Sequence, residues 1–220
     1  MALDKTKTNG LLGREIRDCL RKQGVETPMK FNIMASSAPS IEESFRIIML
    51  RLGLDLDDDS LIETPRRVSR MFINELFWGL DYDNFPKITT VANKMKYDEM
   101  VIERDIKIAS TCEHHFVTIF GKAHIAYIPK SKVLGLSKLN RIAEFFAKRP
   151  QIQERLTEQI FYTLNYILDT EDIAVVIDAE HFCVKTRGVE DVNSSTITSK
   201  MGGCFKDSGA RAEFLKLIGR

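Results

Sequence analysis

The chain has little of anything that would commit it to a secreted, membrane or nucleic-acid role. It holds 4 Cys in 220 residues, too few for the disulfide scaffold of a small secreted domain, so a reducing cytoplasm with free or metal-binding thiols is expected. No apolar run approaches the length of a membrane-spanning helix. The opening MALDKTKTNGLLGREIRDCLRKQG breaks its few apolar residues with charges, unlike a secretory signal. Neither charge sign is in excess: 32 Lys and Arg against 31 Asp and Glu leave +1, which removes any overall pull toward nucleic acid or an anionic membrane. An anionic ligand must therefore be met locally. No GxxxxGK or GxGxxG glycine loop occurs, so neither a P-loop nor a dinucleotide-binding turn is available to hold phosphates. Internal repeats and low-complexity segments are absent as well.

What is present, 44% hydrophobic residues, suffices for one good-sized core, and the length argues for one domain with an appended segment. The first part reads as helices. Leu12, Ile16 and Leu20 give an amphipathic stretch ending near Gly24, followed by a polar linker through Ser37. Ser40 and Glu43 have capping-box spacing at the start of a second helix, and Thr64 with Pro65 gives the N-cap and first-turn proline of a third, expected to stop by Gly79.

From about Met100 the pattern changes. MVIERDIKIA and FVTIFGKAHIAYI are rich in β-branched and aromatic residues and predict an antiparallel hairpin. Helical spacing returns at Leu136, Leu139, Ile142, Phe145 and Phe146, breaks at Pro150, and resumes over Ile152, Leu156, Ile160, Leu164 and Ile167. DIAVVIDAEHFCVKT and NSSTITS read as strands, and Phe214, Leu215 and Ile218 mark a last helix. The fold class is α+β: N-terminal helices and linker over 1–98, then 99–220 as an antiparallel ββααββ core with helices on one face. Such a sheet leaves its edges open, which predicts homo-oligomerisation.

The stretch Ser110-Thr111-Cys112-Glu113-His114-His115 places one thiol and two imidazoles within four residues at the mouth of a strand. His181-Phe182-Cys183 follows about 70 residues later, and in an extended strand residues two apart share a face. Thiolate with imidazole suits Zn²⁺, and a catalytic zinc keeps three protein ligands and one open position. Cys112, Cys183 and one of His114, His115 and His181 would fill such a site, leaving two imidazoles for proton transfer. The competing reading is a closed Cys₂His₂ zinc that only staples two strands. His124 is expected on a polar strand face.

The blocks ETPRRVSRMF, GLDYDNFPKI, STCEHHFVTIFGKAHIAYIPK, GLSKLNRIAEFFAKRPQIQERLT and HFCVKTRGV, spread over residues 40–220, together resemble GTP cyclohydrolase I of the bacterial type. The resemblance implies the tunnelling fold, in which subunits join their sheets into barrels. It also implies a homodecamer of two face-to-face pentamers with active sites between subunits. By the family pattern Cys112, His115 and Cys183 bind zinc, and His114 and His181 remain as the proton-transfer pair. Glu154, with Gln153, would read guanine; Lys138, Arg141, Arg187 and Arg67 would hold the triphosphate; and Ser137 would act near the sugar. Arg70 stands where many family members carry lysine, which exchanges a point charge for a planar fork.

Sequence features lend these assignments some independent support. Residues 130–155 carry seven Lys and Arg against two Asp and Glu, and Lys138 and Arg141 lie three apart on one helical face. Arg187 continues the strand parity of His181, Cys183 and Lys185. A carboxylate at Glu154 can accept from the N1–H and exocyclic amine of guanine, a donor pair adenine lacks. Against this, Glu154 could merely complement a helix dipole and Ser137 merely cap a helix. The expected chemistry is zinc-activated water attacking C8 of guanine while His114 or His181 protonates N7. Formate release and closure to dihydroneopterin triphosphate, the first step of pterin and folate synthesis, are implied by the resemblance alone. Rival readings are a zinc-stapled nucleotide-binding module without turnover, and a tunnelling-fold nitrile reductase, which would need a catalytic cysteine in place of this metal set.

Overall fold

Apolar residues at alternate positions of VIERDIKIASTC and TIFGKAHIAY build two long strands, and the rest of the fold is arranged around their hairpin. The computed structural model describes residues 4–30 and 37–220. Its elements run α1 (Gly10–Lys22), α2 (Ala38–Arg51), α3 (Thr64–Met71), β1 (Thr90–Ala92), β2 (Val101–Cys112), β3 (Thr118–Tyr127), β4 (Lys132–Leu134), α4 (Leu136–Ala147), β5 (Pro150–Gln151), α5 (Gln153–Leu168), β6 (Ile173–His181), α6 (Phe182–Lys185), β7 (Thr196–Met201) and α7 (Ser208–Leu217). The main sheet has the order β5-β2-β3-β6-β7, and β1 pairs separately with β4. Within the main sheet only the short β5 runs parallel to its neighbour β2. The expected ββααββ order is therefore present as β2-β3-α4-α5-β6-β7.

One face of the sheet presents Ile106, Ile108, Ile119, Ala123, Ile125, Ile173, Val175 and Ile177 to Leu139, Ile142, Phe145 and Phe146 of α4 and Leu156, Ile160 and Leu164 of α5. Ile16 and Leu20 of α1 are fully buried in the same core. The expectation of helices on one face holds only for this layer. Residues of the opposite parity, Ala126, Ala174 and Val176, pack against Phe205, Phe214 and Ile218, so α7 covers part of the second face.

Several local expectations shift. Helix α2 starts at Ala38 after an N-cap Ser37 that makes no side-chain cap bond, with proline in the first turn. Ser40 thus lies inside the helix, where its carbonyl accepts from the Ser44 hydroxyl at 2.8 Å, and the Ser40–Glu43 capping box does not form. The linker expected through Ser37 has its residues 31–36 outside the described residues. Glu63, not Thr64, is the N-cap of α3, and a π-helical turn, Phe72–Leu76, carries the helix on.

His124 is the clearest departure on the sheet. It is buried, not on a polar face, because Asp105, at φ +60, sits in a β-bulge between Glu103 and Ile106 and turns its N–H onto His124 Nδ1 at 3.3 Å. A bulge re-aims the strand in just this way, and no period-2 pattern announces it.

Candidate active site and metal centre

Strand β2 ends at Cys112, and the chain reverses over the next five residues. The Cys112 N–H donates to the Val117 carbonyl at 2.8 Å, and the Cys112 carbonyl accepts from the Phe116 N–H at 2.9 Å. Phe116 adopts φ +55, a left-handed conformation uncommon for a bulky residue. It is held there by stacking on Phe72 at 6.1 Å and by an edge contact with Phe77 at 5.4 Å. On the other side the Glu113 N–H donates to the Gln151 carbonyl at 3.0 Å. The turn carrying Cys112, His114 and His115 is therefore fastened both to the residues following α3 and to β5.

The second segment arrives differently from the expectation. Strand β6 stops at His181, and Phe182–Lys185 is a helical turn, so the strand-parity argument for His181, Cys183, Lys185 and Arg187 fails. The Lys185 ammonium is instead paired with Glu180 at 3.2 Å and with the Val192 carbonyl at 2.6 Å. The helical turn nevertheless delivers Cys183 to the first segment: donor atoms of Cys112, His115 and Cys183 all lie within 4.8 Å of one another. Cys112 Sγ is 3.9 Å from Nδ1 of both His114 and His115, but only His115 joins the three-residue group.

This donor set fits a divalent metal. Tetrahedral zinc, with bonds of about 2.0–2.3 Å, separates its donors by about 3.5–3.8 Å, close to the spacing seen between Cys112 and His115. Burial, with Cys112 alongside, pushes the Cys183 thiol up from its ordinary 9.0. The Cys183 thiol therefore resists becoming a thiolate until a cation compensates it. Three donors leave the fourth tetrahedral position to solvent or substrate.

Around the group, His181 Nε2 lies 2.8 Å from the side-chain oxygen of Gln153, and burial lowers the imidazole pKa while the nearby Glu154 carboxylate opposes that shift. The His114 side chain is 64% exposed and lies 3.9 Å from the Glu113 carboxylate. Glu154 is exposed in the first turn of α5 and makes no ion pair among the described residues. Gln153 beside it is buried, with its carboxamide engaged by protein partners. Arg187 is exposed, close enough to Cys183 to favour its thiolate. Arg67 and Arg70 are exposed on α3.

Two of the remaining expected contacts, Ser137 and Lys138, stand apart from the thiols along α4. Gly135 takes the N-cap of α4, so Ser137 is not a cap. Leu134, just before that helix, donates its N–H to the Tyr127 hydroxyl, at the sheet end where Tyr127 pairs with Val101. Arg149, just after it, accepts from Ser110, at the end that carries Cys112. A 12-residue helix spans about 18 Å, so Ser137 and Lys138, in its first turn, lie at the opposite end of α4 from the thiols, and Arg141 lies midway along it.

Two features escaped the sequence reading. Arg155 forms a two-pronged ion pair with Glu113, although both stand next to residues singled out there. Arg149, fully buried, lies over the rings of Tyr82, Phe145 and Phe146 at 4.8–5.1 Å. The only signal for the second was an Arg-Pro dipeptide breaking two apolar helices.

No helix among the described residues is long and apolar enough to cross a membrane. The family model described as GTP cyclohydrolase I matches residues 41–219. Curated proteins named GTP cyclohydrolase 1 are similar over nearly their whole length. That of Aeromonas salmonicida (strain A449) is 56% identical over 203 residues, 91% of this chain and 93% of the relative. That of Vibrio cholerae is 55% identical over 203 residues, 91% and 94% of the two chains, and that of Yersinia enterocolitica 53% over 206 residues, 92% and 94%. With a family match across four-fifths of its length and relatives this similar, the chain belongs to the GTP cyclohydrolase I family.

Proposed function

We propose that this chain is a hydrolase that converts GTP to 7,8-dihydroneopterin triphosphate and formate, with residues 99–220 carrying the chemistry. The observation that carries the reading is the convergence of Cys112, His115 and Cys183 from two distant segments, beside the half-buried His181 and the exposed Glu154, in a chain of this family. Cys112, His115 and Cys183 would hold a zinc ion, which would supply Lewis acidity and lower the pKa of water toward about 7. The protein's own groups do the rest. Glu154 accepts from the N1–H and amine edge of guanine. His114 and His181 move the proton needed at N7. Lys138, Arg141, Arg187 and Arg67 hold the triphosphate, and Ser137 lies near the sugar.

The assembly is part of the proposal. Because Ser137 and Lys138 sit at the far end of α4 from the thiols, the reading has a second copy bring the two sets together. Outer strand β7 and the Val101–Ser110 stretch of β2, which β5 leaves uncovered, offer open edges for pairing. This supports sheets joined into barrels and a homodecamer of two pentamers with sites between subunits. We place the enzyme in the cytoplasm, acting on GTP, with no nucleic-acid or membrane partner.

The test is to incubate zinc-loaded protein with GTP and with ATP while following formate and pterin fluorescence. GTP should yield both products and ATP neither. Cys112→Ser and Cys183→Ser should lose zinc and turnover together; normal turnover in a metal-free variant would remove the metal from the mechanism.

A further inference from the structure

Gln153 was expected beside the guanine base, but the residue is 1% exposed and both ends of its amide already have protein partners. Nε2 donates toward the Ile177 carbonyl at 3.1 Å, the Thr196 carbonyl at 2.8 Å and the Thr198 hydroxyl at 3.2 Å. Two of these partners are carbonyl oxygens, which only accept. The nitrogen of the carboxamide must therefore face them, because a flipped amide would set oxygen against oxygen. Thr198 is held in turn by Thr157, hydroxyl to hydroxyl at 2.7 Å, and the Thr157 hydroxyl reaches the Gln153 carbonyl at 2.9 Å. The amide is thus locked by β6, β7 and its own helix.

The remaining atom, Oε1, lies 2.8 Å from His181 Nε2. An amide oxygen can only accept, so His181 must carry its hydrogen on Nε2 and keep Nδ1 bare when neutral. Nδ1 makes no hydrogen bond among the described residues. We infer that Gln153 is a positioning residue, which fixes the ring orientation of His181 and the tautomer with its hydrogen on Nε2, leaving Nδ1 as the ring nitrogen without a protein partner among the described residues. An orienting hydrogen bond on the unused nitrogen is how a working imidazole is commonly held. This assignment rests on the proposed proton-transfer role of His181, and it assigns Gln153 to the histidine and not to the base.

The experiment combines kinetics with a direct view of the ring. Gln153→Met keeps volume and loses both the lock and the acceptor; Thr198→Val weakens the lock from outside and is the milder change if the first variant folds poorly. For Gln153→Met, kcat should fall about tenfold to a hundredfold, as expected when a reacting group is misplaced, with KM for GTP within about twofold of the parent and zinc content unchanged. In a His181→Ala background the same substitution should cause no further loss, since the two act as one unit. Nitrogen-15 solid-state spectra of histidine-labelled parent protein, with the His181 signal identified by its disappearance in His181→Ala, should show Nε2 protonated and Nδ1 bare. Gln153→Met should give a tautomer mixture. A hydrogen on Nδ1 in the parent, a KM rise at unchanged kcat, or a full additional loss in the His181→Ala background would each overturn the inference. Parent protein that fails to release formate from GTP would instead count against the functional reading, leaving the spectra to decide the tautomer.

Discussion

Arg155 grips Glu113 with both ends of its guanidinium, Nη1 at 2.5 Å from Oε2 and Nη2 at 3.3 Å from Oε1, joining the first turn of α5 to the loop that bears Cys112 and His115. Glu113 lies between two candidate metal-site residues in sequence, and Arg155 directly follows Glu154. One ion pair therefore ties the metal loop to the helix that presents the carboxylate proposed to read guanine.

This predicts that the pair tunes metal retention. Arg155→Lys keeps the charge but loses the fork, and Glu113→Gln keeps the shape but loses the charge. Partners beyond the ligands typically change metal affinity by about 10–100-fold, so each variant should release zinc to a competing chelator at about tenfold lower chelator concentration. Chelator titration with a zinc-sensitive dye reads this directly. Parental retention in both variants would reduce the pair to a surface decoration.

A second prediction concerns the cation beneath this loop. Arg149 has no exposed side-chain surface and reaches Glu26 at 3.7 Å, the Tyr82 hydroxyl at 3.2 Å and the Gly79 carbonyl, while its own carbonyl receives Ser110. Removing one partner of a buried pair leaves an uncompensated charge and costs about 3–5 kcal/mol, which for a chain of this size lowers Tm by about 6–20 °C. Arg149→Met should show that loss in thermal melts at fixed protein concentration, and Arg149→Lys should recover little of it, since an ammonium cannot serve the same set of acceptors. A melting temperature near the parental value in Arg149→Met would mean that the stacked rings, not the charge, carry the contact.

How far the sequence foretold the molecule depends on whether a feature was local. The hairpin, the two core helices and the last helix each rest on a repeating apolar period, and all are present. Cys112 and Cys183 could be paired from residue chemistry, yet the geometry that joins them, a helical turn at Phe182–Lys185, contradicts the extended strand on which the pairing was argued. The pairing of that strand with β3 ends at Ile119 opposite His181, a tertiary limit without a local signature. Spacing alone left three histidines open for one metal position; the family pattern pointed to His115, and its donor atom is the one that lies close to both sulfurs. His124 was misplaced for a similar reason: the bulge at Asp105 is invisible to a period-2 reading. Gln153 was legible as a polar residue near a helix start, but its three acceptors come from strands 24 to 45 residues away.

The buried His124 predicts a pH signature separate from catalysis. Burial holds its imidazole below the ordinary 6.5, with Arg220, Lys122 and Arg104 adding to that shift and Asp105 opposing it. The folded protein therefore binds this proton less readily than the unfolded chain. The stabilisation is fully present above about pH 6.5 and is lost as pH falls through that value toward the folded pKa. His124→Gln keeps an acceptor for the Asp105 N–H and cannot titrate. Between about pH 7 and pH 5, at saturating zinc, Tm of the parent should fall more steeply than that of the variant. Parallel curves would show that the histidine is protonated equally well in both states.

The separation of the two ends of α4 makes a sharper demand on the assembly. If Lys138 and Arg141 serve a site whose thiols and His181 belong to another copy, then a Lys138→Ala chain and a His181→Ala chain are each defective in a different half of the site. Each expressed alone should be nearly inactive. Expressed together, they should form mixed assemblies in which half of the sites receive an intact Lys138 and half an intact His181. With random mixing, about a quarter of the sites receive both and regain parental activity. Formate release from co-expressed protein, purified through different tags on the two chains, measures that fraction. A site completed within one chain would give no restoration at any mixing ratio, because every copy would carry one lesion or the other.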